Sequence, residues 1–388
     1  VPAVQNARRK TGLNVFDAAI ERLVDLYRQG HRLVVSISGG KDSGVLLELA
    51  IIAARETGNL PVDAVTRDEE IIYPGTIDYL DRLAARTSEI ALRRYLVPRP
   101  VVNVFNRAQP YYWPFDDQLD PADWVRRPPD GAIRLAVTDH PRLTTPDRFP
   151  PPAGGQTIVL LGLRVAESRA RMYGFFSSGG MLTRPDENGV RAARPIYDWS
   201  DGDVWLAYKA KGWDYNTAYT DLARLGVPRS RLRVAPPAMN ASGAELLKVA
   251  AVAWPDWFAA AARRLPGLRQ GAMFGKAVVM PRRRSDESWE DTFKRECLGD
   301  HVPSWIRERA AAWSTKMLSH HAHHSAGAPL PQVVPCHTCD GNQGSWRTLT
   351  ISLWSGDPTS VHARGLPEVP PEFFRPGAGT WKGIKERY

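Results

Sequence analysis

An open α/β fold, with a parallel sheet followed by a mainly helical C-terminal region, is what this sequence predicts. Three observations carry the prediction. The run LVVSI at 33–37 is apolar nearly throughout, as in a strand buried on both faces of a parallel sheet. A second buried-strand pattern, TIVLLGLR, returns at 157–164. Around them strand-like and helix-like patterns alternate, the arrangement that builds parallel sheets with crossover helices.

The first helix is expected over 15–29, capped by Asn14, with Phe16, Ile20, Leu23 and Tyr27 on one face and Gly30 ending it. The strand at 33–37 leads into GVLLELAIIAARETG, a helix over 44–58 closed by Gly58. VDAVTRD (62–68) reads as the next strand, TIDYLDRLAART (76–87) as a helix and VVNVF (101–105) as a short strand. Residues 111–155 show little regular pattern, and a structureless loop of that length does not suit a compact domain. Together with a few residues before it, this stretch reads as an insertion, about 107–155, within a first domain at 14–235. DVWLAYKAKG (203–212) is helical in pattern. The second domain, 236–388, is mainly helical, with tryptophans at 254–259 and 305–313, a cysteine-bearing segment and an extended tail. There is no internal repeat.

The chain has 388 residues, enough for one large core or two unequal ones, and is 43% hydrophobic. No apolar run approaches the roughly 18 residues a membrane span needs. The first 23 residues lack the basic-then-apolar pattern of a signal peptide, and three cysteines are too few and odd for a disulfide framework, so a cytoplasmic setting is expected. A net charge of +9 favours phosphorylated or polyanionic partners, although a solvated basic surface would account for it equally. The 32 prolines cluster at 98–152 and from 329 onward, pointing to ordered loops wrapped on a core.

The string SISGGKDS, Ser36–Ser43, follows the first strand directly. At a tight strand-to-helix turn, Gly39 and Gly40 let backbone amides approach an anion, and the helix N-terminus adds orphan N–H groups. Ser36, Ser38 and Ser43 supply hydroxyls, Lys41 neutralises phosphate, and Asp42 orients a metal or the cradle. It is neither a Walker loop nor a G-x-G-x-x-G turn. It resembles the SGGxDS loop of PP-loop ATP pyrophosphatases, in particular the phosphoadenosine-phosphosulfate (PAPS) reductase-like branch. GLRVAESRAR, Gly162–Arg171, is similar to that family's segment after a core strand. In it Arg164 and Arg171 offer planar forks for phosphate or sulfate, and Glu167 can hold an arginine or pair with Arg171 four residues on. RPIYDWSDGDVW, Arg194–Trp205, followed by Tyr215 and Asn216, resembles a further element of the family. There Trp199 and Trp205 read as packing residues and Asp203 as a helix brace. These resemblances span roughly 14–230 in the family's order.

The resemblance implies a Rossmann-like, adenine nucleotide alpha-hydrolase-type domain that binds ATP or PAPS with Mg2+, with Lys41, Asp42 and Arg164 in the catalytic machinery. Two departures qualify it. Arg67–Glu70 and Gly75 interrupt the reductase-like DTG segment, and no C-terminal E-C-G-L-H-like nucleophile segment is present. Pyrophosphate-releasing adenylation of an acceptor is therefore expected. The acceptor would be a nucleic-acid base or a modification precursor, with a sulfur donor or other protein as a further partner. The alternatives are a sulfonucleotide reductase or transferase using Cys297, and a non-catalytic nucleic-acid-binding protein.

Cys297, His301, Cys336 and Cys339 make a C-x3-H…C-x2-C set with the composition of a zinc site, and His337 is a substitute fourth ligand. Zinc is expected ahead of an iron–sulfur cluster; redox thiols and unconnected cysteines also remain open. The run SHHAHH, with His320, His321, His323 and His324, reads as a flexible linker. Arg282–Arg284, Lys294 and Arg295, and Arg126 and Arg127 beside Trp124, offer phosphate contacts with aromatic stacking, or an ordinary basic face. The tail FFRPGAGTWKGIKERY is read as a cap on the catalytic domain or an element of assembly.

Overall fold

The computed structural model describes residues 12–237, 241–275, 277, 280–339, 343–360, 362–363, 365–367 and 369–376. The final twelve residues of the tail lie outside them. The chain divides into two compact units, one within Val1–Val97 and Pro128–Ala235, the other within Pro98–Arg127 and Pro236–Tyr388.

The first unit begins with helix α1 (Val15–Arg28), where Asn14 accepts from the Asp17 amide at 2.9 Å. Strand β1 (Arg32–Ser36), helix α2 (Lys41–Thr57), strand β2 (Val62–Asp68), helix α3 (Pro74–Ala85) and strand β3 (Ile90–Leu96) follow. In the second unit Val101–Val102 (β4) pairs antiparallel with Tyr111–Tyr112 (β5), so the strand expected over 101–105 is only two residues long. The chain then returns to the first unit as β6 (Ile133–Arg134) and β7 (Thr157–Leu160). Helix α4 (Arg169–Ser177), strand β8 (Arg191–Ala193) and helices α5 (Asp201–Lys211) and α6 (Ala218–Arg224) complete that unit.

Strand order in the sheet is β6-β3-β2-β1-β7-β8, every neighbouring pair parallel. From β1 the chain builds outward through β2, β3 and β6, then crosses to the other side of β1 to lay down β7 and β8. This reversal creates a switch point at the carboxyl ends of β1 and β7, where open α/β sheets bind ligands.

One face of the sheet carries Leu33, Val35, Val62, Ala64, Ile90, Ile158 and Leu160 into a core shared with α1, α2, α3 and α5. The opposite face carries Val34, Val65 and Tyr95, and its cover is the 128–155 stretch, through Leu135, Leu143 and Phe149. The sequence read as one insertion therefore has two destinations: 98–127 joins the second unit, while 128–155 roofs the sheet. Strand β3 gave no signal because its centre is Arg93–Arg94. Arg93 packs its guanidinium over the Phe149 ring at 4.2 Å, and Arg94 pairs with Asp81.

The second unit adds helices α7 (Ala241–Ala253), α8 (Pro255–Arg264), α9 (Leu268–Phe274), α10 (Trp289–Leu298), α11 (Ser304–His324) and α12 (Trp346–Leu353). Its main core joins Phe293, Cys297, Ala310, Trp313, Met317, Trp346, Leu349 and Leu353. Among the described residues no helix is long and apolar enough to cross a membrane.

Candidate functional site

Helix α2 starts at Lys41, three residues earlier than its apolar pattern, so Lys41, Asp42 and Ser43 form its first turn rather than part of the preceding loop. Gly40 is the N-cap. Gly39 has φ +75°, and a Cβ there would stand 2.4 Å from the Thr76 methyl, so this turn requires glycine. The loop is tied internally: the Ser38 amide donates to Ser43 Oγ at 3.2 Å, and Ser43 Oγ donates to the Gly40 carbonyl at 3.0 Å. It is also tied from outside. Asn216, buried, donates to the Gly39 carbonyl and to Thr76 Oγ1, both at 2.8 Å. Tyr219 Oη accepts from the Lys41 amide at 3.0 Å, and Tyr208 Oη donates to the Lys41 carbonyl at 2.8 Å. Burial raises the pKa of both phenols well above the usual tyrosine value, so both stay neutral donors and acceptors.

Leu160, the last residue of β7, lies opposite Val35, so the segments leaving β1 and β7 run on side by side. This brings Gly162 against the loop: a Cβ at 162 would lie 2.8 Å from Ser43 N and 2.9 Å from the Asp42 carbonyl oxygen. The first amides of a helix lack intrahelical acceptors, and glycine at 162 lets the segment after β7 pass closely beside those that open α2. Gly162→Ala would force this backbone contact to shift. A stability loss of about 1–3 kcal/mol, read by urea denaturation, is expected.

Two residues on, Arg164 is 4% exposed. Its Nε donates to Asp42 Oδ1 at 2.6 Å, and its Nη2 lies 3.3 Å from Glu167 and 3.8 Å from Asp201. Lys41, also buried, reaches Asp42 Oδ2 at 3.0 Å and Asp201 at 3.4 Å. Glu167 pairs in turn with Arg171, and Asp201 with Arg229 at 3.1 Å. The network sets four cations against three carboxylates, leaving a positive balance beside the helix N-terminus. Ser36 ends β1 just below it.

The structure therefore brings Ser38–Ser43, Gly162, Arg164, Glu167 and Arg171 into one neighbourhood. Sequence reasoning missed Asp201 and Arg229, and gave Tyr208 and Tyr219 no role. The available signal was the dense acidic run around Ser200: Asp203 closes a capping box with Ser200, and this fixes Asp201 in the first turn of α5 facing the cations.

The cysteines divide differently from the expected set. Cys336 and Cys339 gather with His321 and His324, and their four ligand atoms lie within 4.8 Å of one another. Cys297 and His301 stand outside that group. Cys297 is fully buried in the apolar core, which pushes its thiol up to about 12, and its nearest polar partner is the Thr350 carbonyl at 3.8 Å. His301 is exposed beyond the end of α10. The histidine run is not a linker, because it forms the last turn of α11. On that helix Arg309, Trp313, Met317 and His321 are all buried at four-residue spacing, so the buried stripe runs straight to His321. Two imidazoles and two thiols are a donor set closer to a mononuclear zinc-type site than to a cysteine-held iron–sulfur cluster.

The arginine-rich stretches are partly paired within the second unit, while Arg127 and Arg282–Arg284 remain exposed. Arg295 pairs with Glu287 at 2.7 Å and Arg283 donates to the Glu287 carbonyl, while Arg126 and Trp124 both pack on the Phe115 ring.

No family model matches the chain. A curated relative, the uncharacterized protein YbdN of Escherichia coli K12, is 27% identical over 290 residues, 68% of each chain. Among solved structures, Candida glabrata FMN adenylyltransferase with FAD and inorganic pyrophosphate is 13% identical, at TM-score 0.34. The match covers 53% of this chain and 59% of that one. The PAPS reductase of Candida auris is 16% identical at TM-score 0.31, over 55% of this chain and 91% of its own. The structural resemblance to these nucleotide enzymes is weak.

Proposed function

We propose that the chain is an ATP-dependent adenylating enzyme that releases pyrophosphate, with the Ser36–Ser43 strand-to-helix segment holding the phosphates. The observation that supports this reading is the position of Lys41, Asp42 and Arg164. Two buried cations share one carboxylate at the sheet's switch point, beside the amides that open α2. In the free protein the carboxylates hold both cations in place. When nucleotide enters, its phosphate oxygens replace the carboxylates as partners, and the planar fork of Arg164 and the point charge of Lys41 meet charge developing in the transition state. An acceptor oxygen attacks the α-phosphorus, the bond to the bridging oxygen breaks, and pyrophosphate leaves with that oxygen. A sulfur or amine nucleophile then displaces AMP from the adenylated acceptor.

Asp42 and Asp201 each have both oxygens paired with cations, but Asp201 is the more exposed, 45% against 17%, and its pairs are longer, so Asp201 is the carboxylate more open to a magnesium ion. Such an ion would neutralise phosphoryl oxygens when bound. The acceptor class we favour is a nucleic-acid base or modification precursor. This rests on the +9 charge and on Tyr173 and Phe176, exposed on α4 shortly after Arg171. The sulfonucleotide alternative loses support because Cys297, its nucleophile, is a buried and strongly protonated thiol.

Pyrophosphate release from ATP, with and without bulk DNA or RNA, tests the reading. Stimulated release that falls by about 10²–10³-fold in Asp42→Ala is expected. Tight PAPS binding without any release would overturn it.

A further inference from the structure

We propose that His321 Nδ1, His324 Nε2, Cys336 Sγ and Cys339 Sγ bind one zinc ion as a closed structural clasp, independently of the nucleotide chemistry. His324 Nε2 lies 3.2 Å from Cys336 Sγ and 3.7 Å from Cys339 Sγ, and His321 Nδ1 lies 3.4 Å from Cys339 Sγ. With zinc–nitrogen and zinc–sulfur bonds of about 2.0 and 2.3 Å, the edges of a tetrahedron are roughly 3.3–3.8 Å long. The observed separations fall close to those edges.

The surroundings fix the ring nitrogens. His321 Nε2 faces the Pro329 carbonyl at 3.3 Å, and His324 Nδ1 faces the His320 carbonyl at 2.9 Å. A carbonyl only accepts, so each of these nitrogens carries the proton, and the other nitrogen of each ring turns a lone pair toward the sulfurs. Imidazoles oriented by a carbonyl in this way are a regular outer layer of zinc sites. The two histidines, three apart, share one face of α11, and His321 extends that helix's buried stripe.

The cysteine side is equally prepared. Backbone N–H groups of Thr338 and Cys339 point at Cys336 Sγ. The Cys336 amide donates to the Gly344 carbonyl at 2.9 Å. A Cβ at Gly344 would come within 3.1 Å of Cys336 backbone atoms and 3.2 Å of Cys339 Cβ. The knuckle is thus folded tightly on the residue just before Ser345, which caps α12. Binding would release the two thiol protons, and two thiolates balance the charge of a divalent ion. Four protein ligands leave no open position for a substrate or water, so the site fastens the end of α11 to the segment leading into α12 and takes no part in catalysis.

Elemental analysis of the purified full chain should find about one zinc per molecule. Cys297→Ser should keep it, whereas His324→Ala and Cys336→Ser should each lower it to under about a tenth of an equivalent. Because these two variants can misfold, cobalt(II) titration of the chelator-stripped native chain provides a second reading. Saturation at one equivalent with tetrahedral visible bands is expected. Full zinc content in both ligand variants, iron in place of zinc, or failure of the native chain to bind either metal would overturn the proposal.

Discussion

Arg164→Met is expected to reduce pyrophosphate release by about 10³-fold and to lower the stability of the first unit by about 3 kcal/mol. Both effects follow from the position of Arg164. Its guanidinium is buried and supplies donors to Asp42 and Glu167, with Asp201 nearby. Methionine fills similar volume but leaves those carboxylates facing only Lys41 and the rim arginines. Breaking a buried charge network from one side typically costs 3–5 kcal/mol, because the remaining charges have lost water and gained nothing. Arg164→Lys separates the two effects. It restores a positive charge without the fork that spans Asp42 and Glu167, so most of the stability should return while most of the activity stays lost. Stability is read by urea denaturation and activity by pyrophosphate release. Native-like activity in Arg164→Met would remove this residue from the chemistry.

The parts of this site that were legible in the sequence are those in which local chemistry and chain order coincide. A strand, two glycines, a lysine and an aspartate must lie in a few residues of contiguous chain, and Asn14, Gly58 and Asp203 mark helix ends by short-range hydrogen bonding. What could not be read depends on contacts between residues far apart in sequence. Asp201 reaches Lys41 only because β7 and β8 return on the far side of β1. Tyr208 and Tyr219 present hydroxyls to the Lys41 backbone from helices more than 160 residues away. The histidine run misled for a different reason. Its small and polar neighbours look like surface, and only the long stripe from Trp305 to His321 shows which face of the helix is buried. Strand β3 was hidden because arginine stems packed on an aromatic ring occupy positions where a strand pattern would show apolar residues.

Arg309→Met should produce the largest stability loss in the second unit, about 3–5 kcal/mol. Arg309 is 2% exposed, in the second turn of α11. Its Nε donates to the Gly356 carbonyl at 2.9 Å, and its Nη2 donates to the Asp357 carbonyl at 3.0 Å and Ser360 Oγ at 3.2 Å; Nη1 bonds the Pro367 carbonyl. One planar group therefore gathers the chain that follows α12 onto the longest helix. Burial lowers its pKa from the ordinary arginine value, yet the group stays charged, and hydrogen bonds from a charged donor to neutral acceptors contribute about 1.5–3 kcal/mol each in the interior. Methionine would keep the packing volume but leave three carbonyls and a hydroxyl without their donor. Lysine would restore the charge but not the fork. Because Arg309 and His321 lie three helical turns apart, the loss should first appear as faster amide exchange around Trp305–Trp313, while zinc content at low temperature stays near one equivalent. Loss of zinc in Arg309→Met at temperatures where the helix remains protected would show that clasp and arginine cage form one cooperative element. Retained zinc with a frayed N-terminal half of the helix would show that the clasp holds its end of α11 without help from the cage.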